Sequence, residues 1–96
     1  MSNIKEANRR ISECKKSGKT NLDLSRLELT EIPKSLSELT HLVKLDLSDN
    51  QIKKIEGLET CGNLECVELN CNYITNFPEQ AEKYNFVIYG EDGQYS

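Results

Sequence analysis

The chain has 96 residues, 36% of them apolar and 29% charged, and a formal net charge of −4. That length fits one small domain, and no stretch approaches the roughly 20 apolar residues of a membrane-spanning helix. Leu and Ile are too abundant for a disordered chain, and Trp is absent, so an aliphatic core is expected. The N-terminal stretch from Met1 to Arg10 has no apolar signal core, so the expectation is cytoplasmic rather than secreted. The charge is uneven, +4 over residues 1–20 and −8 over residues 21–96. A body at −8 repels phosphate backbones, so nucleic acid is not an expected partner, and neither is a membrane.

Residues 3–17 predict a helix. Ser2 or Asn3 is placed to cap it, and Ile4, Ala7, Ile11 and Cys14 fall on one helical stripe. Arg9, Arg10, Lys15 and Lys16 lie off that stripe, the last two in the final turn where positive charge suits the helix dipole. Gly18 supplies the stop. The basic residues read either as the solvated face of this amphipathic helix or as a membrane or RNA patch.

Beyond the helix the chain repeats itself. Leu22-Asp-Leu24-Ser-Arg-Leu27-Glu-Leu29 aligns with Leu45-Asp-Leu47-Ser-Asp-Asn50-Gln-Ile52 and with Val67-Glu-Leu69-Asn-Cys-Asn72-Tyr-Ile74, the starts lying 23 and 22 residues apart. The alternation at Leu45 and Leu47 sends two side chains to one strand face and their neighbours to the other. Asn50 and Asn72 stand at the bend, where an amide pairs turn backbone in its own repeat and the next. Return segments complete the core with Ile32, Leu36 and Leu39, then Ile55, Leu58 and Cys61, then Phe77, Ala81 and Tyr84. Pro33 and Pro78 open two of these segments, and Glu56-Gly57 replaces the proline in the middle one.

The pattern resembles the leucine-rich repeat family, whose core is L-x-x-L-x-L-x-x-N-x-L. Leu42, Leu45, Leu47, Asn50 and Ile52 fit it in full, as do Leu64, Val67, Leu69, Asn72 and Ile74. The first copy departs, with Lys19 for the leading Leu and Leu27 for the Asn, as suits a terminal repeat. The short middle return resembles the protein phosphatase 1 regulatory subtype, whereas the outer two resemble the longer intracellular signalling subtype. The resemblance implies an α/β fold: a short right-handed leucine-rich repeat solenoid with a parallel sheet of about four strands. Residues 1–18 are then a helical cap, residues 19–41, 42–63 and 64–85 are repeats, and residues 86–96 are a terminal strand and tail. The helix would cover the open end of the first repeat; a partner-binding helix is the alternative. Tyr84 to Gly90 predicts a last strand of open register, followed by a frayed tail, with an edge around Phe86–Tyr89 available for pairing with another chain.

The resemblance also implies protein binding on the concave strand face, where outward residues form columns. Asn21, Lys44 and Cys66 make the first, Asp23, Asp46 and Glu68 the second, and Ser25, Ser48 and Asn70 the third, with Arg26, Asp49 and Cys71 at the edge. Three carboxylates at about 4.8 Å strand spacing repel unless a basic group answers them. The column is therefore either a site for a Lys/Arg-bearing protein or a solubilising row. The expected function is a non-catalytic interaction module or adaptor, as a monomer or weak homodimer. The alternative is self-association through the terminal edge strand.

Nothing in the chain predicts catalysis, a cofactor or a metal. His41 shares a repeat slot with Asn63, and Ser48 lies seven residues on, about 20 Å along an extended chain. Gly18-Lys19-Thr20 lacks the first Gly of a phosphate loop. The spacing Cys61-x4-Cys66-x4-Cys71 forms no paired metal knuckle. With no secretory signal, the cysteines read as reduced thiols used as small hydrophobes or left exposed.

Overall fold

The computed structural model describes residues 2–90 and 93–95, the last three through their backbone. Helix α1 spans Ile4–Ser17. Asn3 stands at its N-cap, but its side chain makes no capping bond. Its backbone N–H donates instead to the carbonyl of Leu27 at 2.8 Å, fastening the helix start to the first repeat. Gly18 ends the helix in the left-handed conformation (φ 72°), and its N–H donates to Cys14 O at 3.0 Å. Ala7, Ile11 and Cys14 are buried as the stripe predicts, whereas Ile4 remains 40% exposed at the first turn. Polar bonds fasten the flanks of the helix: Arg10 Nη1 to Asp23 O at 2.9 Å, Ser35 Oγ to Asn8 Oδ1 at 3.0 Å, and Lys15 to Glu38 at 2.7 Å.

Strands β1 (Asn21–Asp23), β2 (Lys44–Asp46), β3 (Cys66–Glu68) and β4 (Val87–Gly90) stack in parallel in chain order. Leu22, Leu45, Val67 and Ile88 share one register row and are all buried. The first three strands are three residues long, so their ladder bonds alone hold little. After each of them the backbone turns through a positive-φ residue, Arg26, Asp49 or Cys71, with φ of 58°, 56° and 59°. A left-handed L-residue costs roughly 1–2 kcal/mol, a cost that bends the chain toward its return segment.

The turns are held by side-chain amides. Asn50 is the buried polar side chain among the described residues, at 5% exposure. Its Oδ1 accepts from Leu27 N at 3.1 Å and Leu29 N at 3.0 Å, both in the preceding repeat. Its Nδ2 donates to Leu24 O and Leu47 O at 3.0 Å and to Ser48 O at 3.2 Å. Asn72 repeats the arrangement one level on, accepting from Ile52 N at 2.9 Å and donating to Leu47 O at 2.9 Å.

The return segments differ in form. Pro33 precedes a 3₁₀ helix at Lys34–Glu38, and Pro78 sits in the first turn of α2 (Phe77–Ala81). The middle return has neither, and Gly57 takes φ 81° where the others have proline-led turns. Ile32, Leu36, Leu39, Ile55, Leu58, Cys61, Ala81 and Tyr84 all enter the core, with Phe77 partly buried against it. Tyr84 donates to Glu59 Oε1 at 3.0 Å, which satisfies the phenol at the core margin.

The C-terminal end corrects the expected frayed tail. Strand β5 (Gly93–Tyr95) pairs antiparallel with β4, in the register Ile88↔Tyr95, Tyr89↔Gln94 and Gly90↔Gly93. The edge expected around Phe86–Tyr89 is therefore taken within the chain. The sequence had no Leu or Asn marker to set the register of β4; parallel pairing with β3 sets it, Ile88 beside Val67. Glu91, Asp92 and Ser96 lie outside the described residues. Gly90 is required by packing: a Cβ there would meet the Phe77 ring at 2.7 Å.

Four stability outcomes follow from these contacts. Asn50→Ala should cost about 3 kcal/mol or more in denaturant unfolding, since each buried backbone group left unpaired costs about 1–3 kcal/mol. Asn50→Asp should cost at least as much, because a second carboxylate oxygen would face the carbonyls of Leu24, Leu47 and Ser48. Ile11→Asp places a charge at a 3% exposed position and should lower stability by several kcal/mol (roughly 3 or more). An unchanged melting temperature would make α1 an independent element rather than a cap. Glu6 accepts from Arg9 at 2.6 Å and Arg10 at 2.8 Å, and these bonds, Arg9 first, hold its carboxyl at about 2. A carboxyl lowered on folding stabilises above its unfolded value and loses that contribution as pH falls toward the folded value. Stability should thus fall between about 4.5 and about 2 in pH, and Glu6→Gln should flatten that limb in acid-unfolding curves.

Candidate functional site

The strand register builds the outward face. Asn21, Lys44 and Cys66 align in one row, and Asp23, Asp46 and Glu68 in the next. Strand β4 extends both rows with Val87 and Tyr89, which sequence reasoning missed. The signal that places them is the register itself, carried by Ile88 beside Val67. A shallow hollow of about 510 Å³ spans the face from Asn21 to Tyr89.

The acidic row is not three equivalent carboxylates. Asp23 Oδ1 accepts from Ser25 N at 2.8 Å and from Ser25 Oγ at 2.6 Å. Asp46 Oδ1 accepts from Ser48 N at 2.9 Å and from Ser48 Oγ at 2.6 Å. Both aspartates thus brace the turn that follows their strand, and the serines act as donors to them. The Ser25 hydroxyl, then the Ser25 N–H, hold Asp23 below the usual carboxylate range. The third repeat has Glu68 and Asn70 in these places, and no such bond occurs between them among the described residues. Glu68 is half-buried on the face.

The remaining expected residues divide by role. The Asn70 carbonyl accepts from Asp49 N at 2.9 Å. Arg26 and Asp49 approach to 3.7 Å at the exposed edge, an ion pair worth little in water. Lys44 is exposed between Asn21 and Cys66. Cys66 is half-buried, and burial pushes its thiol up, with Glu68 adding to the effect. Cys71 is exposed at its left-handed turn. Arg10 of α1 reaches the end of this face through Asp23 O, so the cap borders the site. His41 is not brought to Ser48: its Nε2 lies 3.9 Å from Cys14 Sγ, on the cap side of the chain.

None of the four cysteines is in a disulfide. Cys14 Sγ donates to Lys19 O at 3.2 Å and Cys61 Sγ to Leu36 O at 3.3 Å, both buried, with their thiols pushed up by burial. Thiol titration of the native protein should find Cys71 reacting fast and Cys66 slowly, with Cys14 and Cys61 reacting only on unfolding. Reaction of all four at one rate would show the core open.

Residues 40–82 match the family model described as leucine rich repeats, in two copies. Among curated proteins, the volume-regulated anion channel subunit LRRC8A of Rattus norvegicus is 38% identical over 64 residues, 64% of this chain and 8% of that protein. The Homo sapiens protein of the same name aligns to the same extent. The LRRC8E subunit of Xenopus tropicalis is 38% identical over 65 residues, 65% of this chain and 8% of its own length. The chain thus spans a small part of these relatives. The matches do not support the protein phosphatase 1 regulatory subtype expected from the middle repeat. Domains of this repeat type are generally protein–protein interaction modules and typically non-catalytic. The parallel strand stack and the covering N-terminal helix give this chain the α/β solenoid fold of leucine-rich repeats, with residues 40–82 matching that repeat.

Proposed function

We propose that this chain is a non-catalytic adaptor that takes a protein partner on its strand face, in the cytoplasm. The observation that carries this reading is the row Asp23, Asp46, Glu68 and Tyr89. It sets carboxylates beside an aromatic ring on a face whose opposite side is fully committed to the core. With two of the acids bracing turns, Glu68 and Tyr89 are the side chains with most to offer a ligand. A guanidinium or ammonium group fits there, paired to a carboxylate and laid on a ring face. The fitting partner is a protein with a Lys- or Arg-bearing surface. The relatives are volume-regulated anion channel subunits, and no channel activity is carried over from them.

The test is affinity capture followed by calorimetric titration of the captured protein. Glu68→Gln with Tyr89→Ser should weaken binding about tenfold or more, mainly in the salt-dependent part, with stability changed by about 0.5–1.5 kcal/mol at most. Lys34→Glu, on the exposed 3₁₀ helix, is the control and should bind as the parent does. Equal loss in the control, or none in the strand-face variant, would refute the strand face as the interface.

A further inference from the structure

A second surface lies on the flank of the repeats. Tyr73 is 63% exposed, more than any other large apolar side chain among the described residues. Its N–H donates to Ile52 O at 2.9 Å, which sets it beside Lys53 and Lys54 of the preceding repeat. Lys83, beyond α2, lines the same hollow of about 720 Å³, with Glu56 as the one carboxylate on its wall. The floor is built rather than loose: Gln80 Oε1 accepts from Ile55 N at 2.6 Å, and its amide donates to Thr75 O. Among the described residues, none of these three lysines forms an ion pair. An exposed aromatic beside three lysines and one carboxylate, on a chain of net charge −4, suits an acidic counterpart with room for a ring.

That counterpart is present on the same chain. The strand face carries Asp23, Asp46 and Glu68 around its own hollow, with Tyr89 at the end of the row. Three carboxylates, Lys44 and a tyrosine there leave a net negative face against the net positive flank of three lysines, Glu56 and a tyrosine. The two surfaces share no residue, so one copy cannot satisfy itself, and a contact between copies joins unlike faces. We propose that this chain associates with itself head to tail, the Tyr73–Lys53–Lys54–Lys83 flank of one copy seated on the Asp23–Asp46–Glu68–Tyr89 face of the next. This rests on the strand face being a docking surface. Such a heterologous contact leaves one free face of each kind at every stage and therefore extends instead of closing as a two-fold dimer. The interface is small and charge-rich, so the association is weak and salt-sensitive.

The test is sedimentation and light scattering of the full chain across concentration. At ~0.1 M salt the mean mass should grow without fixed stoichiometry. At ~1 M salt, where the screening length falls from about 10 Å to about 3 Å, it should return to monomer. The flank variant (Lys53→Gln, Lys54→Gln, Tyr73→Ser) and the face variant (Glu68→Gln, Tyr89→Ser) should each be monomeric, with circular dichroism confirming that both are folded. Mixed, they retain one intact face and one intact flank between them and should give a 1:1 heterodimer that grows no further. A parent chain that stays monomeric at every concentration overturns the proposal; if its face variant still loses an external partner, the strand-face reading survives. A discrete dimer unaffected by either variant, as pairing along β5 would give, also overturns it. A flank variant that alone becomes monomeric overturns the head-to-tail seating, since the flank would then dock elsewhere than on the strand face. A monomer whose flank variant alone loses an acidic protein assigns the flank to that protein and overturns self-association.

Discussion

The side-chain amide of Asn50 is the interaction on which the stacking depends. Backbone pairing between repeats runs on into the turns only at points such as Arg26 N to Ser48 O, and leaves the N–H groups of Leu27 and Leu29 to a side chain. Asn50 answers this with both ends of one amide: its oxygen takes Leu27 N and Leu29 N, and its nitrogen serves carbonyls on both repeats. Because donors and acceptors alternate in fixed places, neither Asp nor Leu of similar size can substitute. Asn72 repeats the device with fewer contacts to the previous turn, and its site is only half-buried. The positive-φ residues Arg26, Asp49 and Cys71 stand directly before each of these slots and turn the backbone groups toward them.

The two ends of the stack solve a different problem, since an end repeat has no neighbour. At the N-terminal end Leu27 occupies the asparagine slot and is itself buried, its carbonyl accepting Asn3 N from α1. The helix lays Ala7, Ile11 and Cys14 over the first repeat and holds its position through Arg10, Asn8 and Lys15. At the other end an antiparallel hairpin strand replaces a further parallel repeat. Packing of Phe77 against Gly90 joins α2 to that hairpin. One end is thus covered chiefly by apolar burial and the other by backbone pairing.

The same repeat geometry orders the polar surface. Aspartates at the ends of β1 and β2 spend their charge on serine hydroxyls and turn N–H groups. That lowers the cost of stacking like charges, because each carboxylate is locally solvated by hydrogen-bond donors. Glu68, one methylene longer and followed by Asn70, breaks the series next to Tyr89. The face therefore has a braced half near the cap and a chemically available half near β4. The flank around Tyr73 carries the opposite sign, so the acidic excess of the chain is separated in space.

Repeat period, alternation and the Asn50 and Asn72 slots were legible in the sequence, because each repeat must bury the same few positions and pair the same backbone groups. The helix was legible for the same reason, through the spacing of Ala7, Ile11 and Cys14 and the Gly18 stop. The order of Asp23, Asp46 and Glu68 on one face followed from strand alternation alone. Sequence did not show that Asp23 and Asp46 turn back onto Ser25 and Ser48, since the side-chain rotamers of exposed carboxylates have no periodic signature. Nor did it show β5, which is set by one antiparallel pairing and not by a repeated pattern, or the placement of Val87 and Tyr89, because β4 carries no Leu or Asn marker to fix its register beside β3. What recurs along the chain was determined locally; what happens once, at an end or between neighbouring repeats, was decided by tertiary contact.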